Sequence, residues 1–365
     1  MSYDLKDIYR QFSVNGTFLK GEPFGSGHIH DTFRVETAEE DKDDYILQRL
    51  NSKIFTNIPA LQNNIERVTV HLRNKLKNIP GSDIKRECLT LVPSKDGKTW
   101  ITDENGNFWR MYIFISRHHS YNLVDSPFKA YEGGKAIGRF QAMLSDMPGG
   151  PLSETIPWFH NIEKRLESFT GKIHEDPVGR VWSVRREIDE VLRRSEEMKV
   201  ILKLGSEGAI PLRITHNDTK FNNILLDEND KALCVIDLDT VMPGYVHYDF
   251  GDAIRTATNT ASEDEDDLSK IRMNIDLFRA YSEGYLSETG STLNDVEKEY
   301  LAFAPKLITY TIAVRFLTDY IDGDNYFKIH HKLHNLQRAK AQLKLVMSME
   351  EQYDAMRSII ERLIK

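Results

Sequence analysis

The sequence predicts a two-lobed α+β protein, in which a small, mainly antiparallel β lobe precedes a larger, mainly α-helical lobe and the functional site lies in the cleft between them. Two observations predict this fold class. Short apolar segments bounded by turn residues dominate the first hundred or so residues, whereas helical spacing of apolar residues dominates after residue 120. We expect the first lobe to comprise residues 1–115 and the second residues 116–365, with a hinge at about residues 113–119.

The first lobe is predicted to contain six strands and one long helix. The helix spans about residues 58–77, because apolar residues recur on one face from Leu61 to Leu76. The dipeptides Asp96-Gly97 and Asn105-Gly106 are typical of hairpin turns. In chain order, the predicted strands are residues 18–24, 32–37, 45–50, 89–93, 100–102 and 109–115.

Composition and charge narrow the class of protein. The chain has 365 residues and a formal net charge of -8, which disfavours a nucleic-acid-binding role. Its start carries no apolar run of the secretory type, and its most apolar helical stretch, residues 307–314, is too short to cross a bilayer. The two cysteines, Cys88 and Cys234, lack metal-ligand spacing. We expect a cytoplasmic enzyme with no membrane partner, as a monomer or weak homo-oligomer.

The segment from His216 to Asn223 carries the strongest functional signal. Asp218 follows His216 by two residues, and Asn223 follows Asp218 by five. A kinase needs one carboxylate to hold the acceptor hydroxyl and take its proton, and further oxygen ligands to hold magnesium on the triphosphate. The spacing therefore predicts a small-molecule kinase that uses ATP and Mg²⁺, with Asp218 as its catalytic base.

A predicted hairpin assigns the metal ligands. Residues 223–227 and 232–237 read as strands joined by a turn at residues 228–231, which places Asn223 opposite Asp237. Opposite residues lie about 5 Å apart, a distance that suits two ligands of one magnesium ion. The alternative is a surface hairpin with ordinary turn acids. The apolar flanks disfavour that alternative, because buried acids need partners.

Three other acids lie near this hairpin. Asp249 opens the triplet Asp-Phe-Gly, which spells the metal-binding motif of protein kinases but comes a dozen residues too late to oppose the amide. We expect Asp249 to support the catalytic loop, and Asp252 to pair with Arg255. Asp239 shares a strand face with Asp237 in the predicted register. Asp239 is therefore either a second metal ligand or a hydrogen-bond acceptor that contacts the metal ligands rather than the metal.

The segment at residues 24–30 is a candidate phosphate-binding loop. Gly25, Ser26, Gly27 and His28 lie between two predicted strands, where glycines let the backbone approach phosphates closely. An ordinary hairpin turn is the alternative for this segment alone. The downstream acids favour the nucleotide interpretation.

Gln48 occupies the strand position where a protein kinase presents its phosphate-binding lysine. We include Gln48 among the predicted nucleotide-binding residues. Glu66 is a plausible counterpart of the helix glutamate that pairs with this lysine in protein kinases. Because Gln48 is uncharged, the cation that pairs with Glu66 would have to be another residue, such as Arg49. Phosphate neutralisation could rest on Arg49, on His28 or largely on magnesium.

Several strings together resemble the aminoglycoside phosphotransferase superfamily, whose fold is protein-kinase-like. They are HNDTKFNNIL and VIDLDTVMPG, with GSGHIH, YILQRLN and RFLTDYIDGD elsewhere in the chain. Within that superfamily the longer strings are most similar to the N-acetylhexosamine 1-kinases. The resemblance runs from about residue 18 to residue 350, and Gln48 belongs to its YILQ pattern.

The resemblance implies a reaction and further site residues. ATP would phosphorylate the anomeric hydroxyl of N-acetylglucosamine or N-acetylgalactosamine, with Asp218 holding that hydroxyl. A sugar-binding arginine and tyrosine of the family match Arg315 and Tyr326. Adenine would bind at the hinge and its apolar wall, which correspond to Ile46, Phe114, Ile115 and Ser116.

Alternatives remain for the acceptor and for Arg315. A structural salt bridge to Asp319, one helical turn away, would explain an arginine inside an apolar helix. A kinase of the same fold could instead act on choline, homoserine, methylthioribose or an aminoglycoside. A non-catalytic nucleotide or sugar binder is a third possibility, which the complete set of acids disfavours.

Overall fold

The structure, a computed structural model, describes residues 3–25 and 29–365. The loop residues Ser26, Gly27 and His28 therefore lie outside the described residues. The chain divides into two compact units. The first unit comprises Met1–His118, Asp146–Pro157 and Leu233–Met242, and the second comprises His119–Ser145, Trp158–Ala232 and Pro243–Lys365.

The first unit is built on a five-stranded antiparallel sheet with the strand order β1-β2-β3-β5-β4. Its strands are β1 (Phe18–Pro23), β2 (Asp31–Thr37), β3 (Tyr45–Arg49), β4 (Ile101–Thr102) and β5 (Phe108–Ile113). Alternation along β3 buries Leu47, which lies opposite Phe33 and Met111. The predicted strand at residues 89–93 is wrong. Only an isolated bridge between Leu91 and Tyr112 forms there.

Three helices belong to the first unit: α1 (Leu5–Arg10), α2 (Ile58–Leu76) and α3 (Ile84–Glu87). The long predicted helix is confirmed as α2. The Asn57 side chain caps it by accepting a hydrogen bond from the Ala60 N–H (3.1 Å), and Pro59 fits the first turn. Its apolar face is buried, with Ile65 and Val68 fully inaccessible.

Helices dominate the second unit. They are α4 (Pro127–Leu144), α5 (Ile162–Glu175), α6 (Arg185–Arg194), α7 (Val200–Ser206), α8 (Val246–Ala257), α9 (Ile275–Thr289), α10 (Asp295–Glu299), α11 (Ala304–Asp322), α12 (His334–Glu351) and α13 (Tyr353–Leu363). Helices α4 and α9 pack closely because glycines line their contact. A Cβ on Gly134 would lie 2.1 Å from the Tyr281 carbonyl oxygen, and one on Gly284 would lie 2.0 Å from that of Tyr131.

Four short strands accompany these helices along the chain: β6 (Arg213–Thr215), β7 (Ile224–Leu226), β8 (Ala232–Val235) and β9 (Met242–Gly244). The turn after β7 is closed by a hydrogen bond from the Asp227 N–H to the Lys231 carbonyl (2.8 Å). Helix α11 is buried on nearly every side. In the described part of the chain, none of the helices has both the length and the apolar character needed to cross a membrane.

Candidate active site

The loop at residues 216–223, called here the catalytic loop after its predicted role, leaves β6 and ends in a 3-10 turn at Phe221–Asn223. The buried carboxylate of Asp249 fixes its start, because it accepts hydrogen bonds from the backbone N–H groups of His216 (2.8 Å) and Asn217 (2.6 Å). Gln141 donates a third hydrogen bond to the same carboxylate (2.6 Å). Asn217 adopts a left-handed conformation (φ 65°), which this clamp stabilises. The geometry agrees with the expected supporting role of Asp249.

Asp218 is held as a carboxylate inside the loop. Lys220 Nζ lies 3.0 Å from Asp218 Oδ1, and the Asn223 Nδ2 donates to the Asp218 carbonyl oxygen at 2.8 Å. Burial opposes ionisation of Asp218, but Lys220, His216 and Arg255 outweigh it and lower the pKa of Asp218 below its ordinary value. Asp218 is therefore ionised near neutral pH, as a general base must be.

Asn223 and Asp237 lie outside the strands in which they were expected. Asn223 ends the 3-10 turn, and Asp237 follows the end of β8 in a left-handed conformation (φ 61°). The strands of the structure therefore do not include the two proposed metal ligands, whose assignment stays a prediction. Their oxygens still suit magnesium chemically. Among the described residues, no group of three or more histidine, cysteine, aspartate or glutamate side chains could hold a metal ion.

The contacts of Asp239 in the first unit distinguish between its two predicted roles, a metal ligand or a hydrogen-bond acceptor. Both carboxylate oxygens bind the guanidinium of Arg110 (2.5 Å each), and the Nε2 of His30 lies 3.2 Å from Oδ2. Asp239 is only 2% exposed, whereas Asp237 is exposed. Burial opposes ionisation of Asp239, but Arg110 and His30 hold its pKa far below the ordinary value. The geometry favours an ion pair with Arg110 over a metal ligand.

Gln48 belongs to the same network. Its Oε1 accepts a hydrogen bond from the Nε of Arg110 (2.9 Å), and its Nε2 donates to Thr32 Oγ1 (3.0 Å). Arg49, one of the proposed phosphate cations, is paired with Asp31 (2.7 Å). Glu66 points to solvent from α2. Gln48 thus orients Arg110 in this structure.

The remaining nucleotide-site candidates lie at the ends of strands in the first unit. Gly25 has a positive φ of 77°, and the ring of Phe24 beside it lies 5.8 Å from that of Phe114. Ile46 is half-buried on β3. The carbonyl oxygen of Ile115 accepts a hydrogen bond from His118, and that of Ser116 accepts one from Arg86.

Arg315 and Tyr326 meet in the second unit. The guanidinium of Arg315 lies over the rings of Phe159 (5.1 Å), Phe327 (5.4 Å) and Tyr326 (5.6 Å), and Nη2 donates to the Tyr326 hydroxyl at 3.5 Å. Within the described residues, no carboxylate forms a salt bridge with Arg315. Arg315 is half-buried, and Tyr326 is exposed.

The expected alternative pair, Arg315 with Asp319, does not form. Asp319 instead accepts hydrogen bonds from the backbone N–H groups of Asn325 (2.9 Å), Tyr326 (2.8 Å) and Phe327 (2.9 Å), and from Asn335 Nδ2 (2.8 Å). Its two oxygens are used to hold the loop after α11. Asp319 thereby positions the aromatic residues around Arg315.

His160 connects these aromatic residues to the catalytic loop, and sequence reasoning missed it. Its Nε2 lies 2.7 Å from the Asn217 carbonyl oxygen, and its ring contacts those of Phe159 (4.6 Å) and Tyr248 (5.1 Å). Burial, with a smaller contribution from the charge of Arg315, lowers the pKa of His160 to about 3. The neutral ring therefore donates from Nε2. A histidine in an irregular segment carries no spacing signal that could have revealed this contact.

Lys220, Asp252 and Arg255 complete the surroundings of Asp218. Lys220 lies two residues from the catalytic acid, a proximity that could have drawn attention to it in the sequence. The expected pair of Asp252 and Arg255 is present, with Arg255 Nη2 2.8 Å from Asp252 Oδ1. Arg255 also contacts Glu263 (2.6 Å). The carboxylate of Asp218 thus lies near cations whose charges are partly balanced.

Comparison with known proteins identifies the family and the fold. A family model described as a phosphotransferase enzyme family matches residues 20–287. An aminoglycoside phosphotransferase from Alicyclobacillus acidocaldarius aligns at a TM-score of 0.60 with 11% identity, over 97% of this chain and 95% of its own. A microcompartment-associated aminopropanol kinase aligns at 0.57 with 14% identity, over 97% and 98%. Choline kinase from Cryptosporidium parvum aligns at 0.54 with 14% identity, over 99% of both chains. The α+β protein-kinase-like fold is confirmed.

Proposed function

Since the chain belongs to the phosphotransferase enzyme family, we propose that it is an N-acetylhexosamine 1-kinase. As a member of this family it is a small-molecule kinase with a hydroxyl acceptor. The proposed reaction transfers the γ-phosphoryl group of ATP to the anomeric hydroxyl of N-acetylglucosamine or N-acetylgalactosamine. The products are the sugar 1-phosphate and ADP.

One observation carries the sugar assignment. His160 hydrogen-bonds the catalytic loop at Asn217 and contacts Phe159, which lies under the guanidinium of Arg315. The two residues implied to bind sugar, Arg315 and Tyr326, are thereby linked to the loop that carries Asp218. Aromatic rings and a guanidinium are suited to the C–H faces and hydroxyls of a sugar.

Asp218 performs the central step in this proposal. Its carboxylate accepts a hydrogen bond from the anomeric hydroxyl and takes the proton as the sugar oxygen bonds to the γ-phosphorus. The bond between that phosphorus and the bridging oxygen breaks, and ADP leaves with the electron pair. An anomeric hydroxyl is more acidic than an ordinary alcohol, so a carboxylate with a low pKa suffices.

The proposed magnesium ligands are Asn223 and Asp237, on their spacing from Asp218 and their oxygen donors. The chemistry that magnesium supplies when bound is neutralisation of phosphate charge. The proposed nucleotide-binding residues are Gly25, Ser26, Gly27, His28, Ile46, Gln48, Phe114, Ile115 and Ser116. Their roles are inferred from sequence and stay predictions.

A second candidate is a kinase for another small hydroxyl acceptor. The fold similarity to aminopropanol kinase and choline kinase favours it, since those names state alcohol acceptors that also carry an amine. ADP formation with a panel of N-acetylhexosamines, choline, homoserine, methylthioribose and an aminoglycoside distinguishes the candidates. Turnover of choline without turnover of N-acetylhexosamines would overturn the sugar assignment, and a 1-phosphate product seen by phosphorus NMR would support it.

The variant Asp218→Asn tests the catalytic base. We expect ATP–Mg²⁺ binding to persist while kcat falls by about 10²- to 10⁴-fold, the usual contribution of a general base. Asp276→Asn is a matched control, because Asp276 lies on the exposed face of α9. Near-normal turnover by Asp218→Asn would show that the base is another group.

A further inference from the structure

Arg165 and Arg315, called here the arginine pair, are two half-buried cations without a carboxylate partner in the described residues. Arg165 lies on α5, and its Nε and Nη2 both donate to the Phe159 carbonyl oxygen, at 3.2 and 2.8 Å. Arg315 lies on α11 over the ring of the same phenylalanine, at 5.1 Å. Phe159 therefore brings the two guanidinium groups to the same place.

Most of the buried arginines have carboxylate partners. Arg110 binds Asp239, Arg194 binds Glu350 and Arg255 binds Asp252, whereas the buried Arg338 donates to the Lys328 carbonyl oxygen at 3.3 Å. A buried cation is normally paired because removal from water is costly. The arginine pair lacks that compensation, and the two positive charges also repel each other. Burial lowers the pKa of Arg165 to about 10, and the charge of Arg315 adds to that effect.

The arginine pair is linked through Phe159 and His160 to the loop that carries Asp218. Both guanidinium charges act on the ring of His160, as does the charge of Asp218. His160 itself is neutral and donates to the Asn217 carbonyl oxygen, so it does not balance the positive charge of the arginine pair. An acceptor held by Asp218 would therefore lie near two cations that are linked to the same loop through Phe159 and His160.

We propose that the arginine pair selects acceptors by charge: it admits hydroxyl acceptors that are uncharged or anionic and rejects those that carry an ammonium group. This inference rests on the proposed function in taking the surroundings of Asp218 as the acceptor site. An ammonium group there meets like charge in a partly desolvated environment, where repulsion is stronger than in water. A hydroxyl or acetamido oxygen instead accepts hydrogen bonds from guanidinium groups.

Two pairs of acceptors that differ mainly in charge test the proposal. N-acetylglucosamine is compared with glucosamine, and 3,3-dimethyl-1-butanol with choline. We expect kcat/KM to favour the uncharged member by about tenfold or more. The ratio for glucosamine should improve from pH 7 to pH 9, because an α-amino-like ammonium loses its proton over that range and the repulsion disappears with it. N-acetylglucosamine has no such group, so its own profile corrects for titration of the enzyme.

The variant Arg165→Met tests whether the arginine pair causes the preference for uncharged acceptors. It should raise kcat/KM for glucosamine relative to N-acetylglucosamine by several-fold and flatten the pH dependence of their ratio. Lys164→Met is the matched control, since Lys164 is the neighbouring exposed cation on α5 and pairs with Glu167. The control should leave the ratio unchanged. If Arg165→Met does not fold, the pH dependence of the ratio in the unmodified enzyme still decides the matter.

The outcomes separate this inference from the proposed function. Turnover of N-acetylglucosamine with a glucosamine ratio that does not respond to pH would overturn charge selection and leave the sugar kinase intact. A preference for choline over 3,3-dimethyl-1-butanol would also overturn charge selection. A preference for the neutral alcohol without turnover of either sugar would support charge selection and overturn the sugar assignment.

Discussion

Arg110 and Arg315 look alike in the sequence but have different surroundings in the structure. Each interrupts an apolar run, Arg110 in β5 of the first unit and Arg315 in α11 of the second. Arg110 is 1% exposed and holds both oxygens of Asp239, a residue 129 positions away in the chain. Arg315 is half-buried and contacts aromatic rings without a salt bridge in the described residues.

The difference shows what an arginine in an apolar run implies. The pattern predicts that the guanidinium is removed from water, but its partner is chosen by distant parts of the chain. Where both oxygens of a carboxylate bind the guanidinium, as Asp239 binds Arg110, the fold itself compensates the buried charge. Where none is supplied, as for Arg315, the free energy of desolvation is left for a ligand to recover. Function is therefore expected at the unsatisfied site.

The largest expected effect is on stability and concerns the satisfied site. Asp239→Asn removes the charge opposite Arg110 and leaves a buried cation unpaired. We expect the free energy of unfolding to fall by about 3–5 kcal/mol, as is typical when one partner of a buried ion pair is lost. Urea denaturation measures the change. Asp276→Asn on the exposed face of α9 serves as the control and should stay within about 0.5 kcal/mol. An equally small effect of Asp239→Asn would contradict the comparison.

The unsatisfied site should behave in the opposite way. Arg315→Met removes no salt bridge and keeps an apolar stem among the aromatic rings, so we expect stability to change by less than about 1 kcal/mol. If Arg315 binds the acceptor as proposed, loss of its hydrogen bonds should lower kcat/KM by about 10- to 100-fold, equivalent to about 1.4–2.7 kcal/mol, mainly through KM. Steady-state kinetics and urea denaturation on the same preparation separate the two effects. A large loss of stability with unchanged kinetics would make Arg315 a structural residue.

The proximity of Asp218 and Asn223 could be predicted from sequence because the two residues are neighbours in the chain, and their proposed roles stay predictions. Asp218 and Asn223 lie in one short loop, and the supporting role of Asp249 follows from its distance beyond the hairpin. The errors arose where local geometry was assumed to be regular. A 3-10 turn at Asn223 and a left-handed Asp237 replaced two strand ends.

The alternative pair of Arg315 with Asp319 does not form for a similar physical reason. Helical spacing placed its carboxylate beside Arg315, but three successive backbone N–H groups of the following loop bind it instead. Nothing in the sequence marks a loop as folding back onto the helix that precedes it. The contacts of His160 and Arg165 were missed for the same reason, since both depend on how distant segments pack.

The smallest expected effect concerns pH and extends the comparison to Asp218, whose cation is supplied locally by Lys220. Lys220 helps to lower the pKa of Asp218, so Lys220→Met should raise that pKa. Because only the carboxylate form accepts the proton, the acid limb of the kcat profile should move to higher pH, with activity lost earlier as pH falls. Lys203→Met, which alters an exposed lysine of α7, should leave the limb unmoved. An acid limb that stays in place in Lys220→Met would mean that Asp218 owes its ionisation to the other groups that lower its pKa, which include His216 and Arg255.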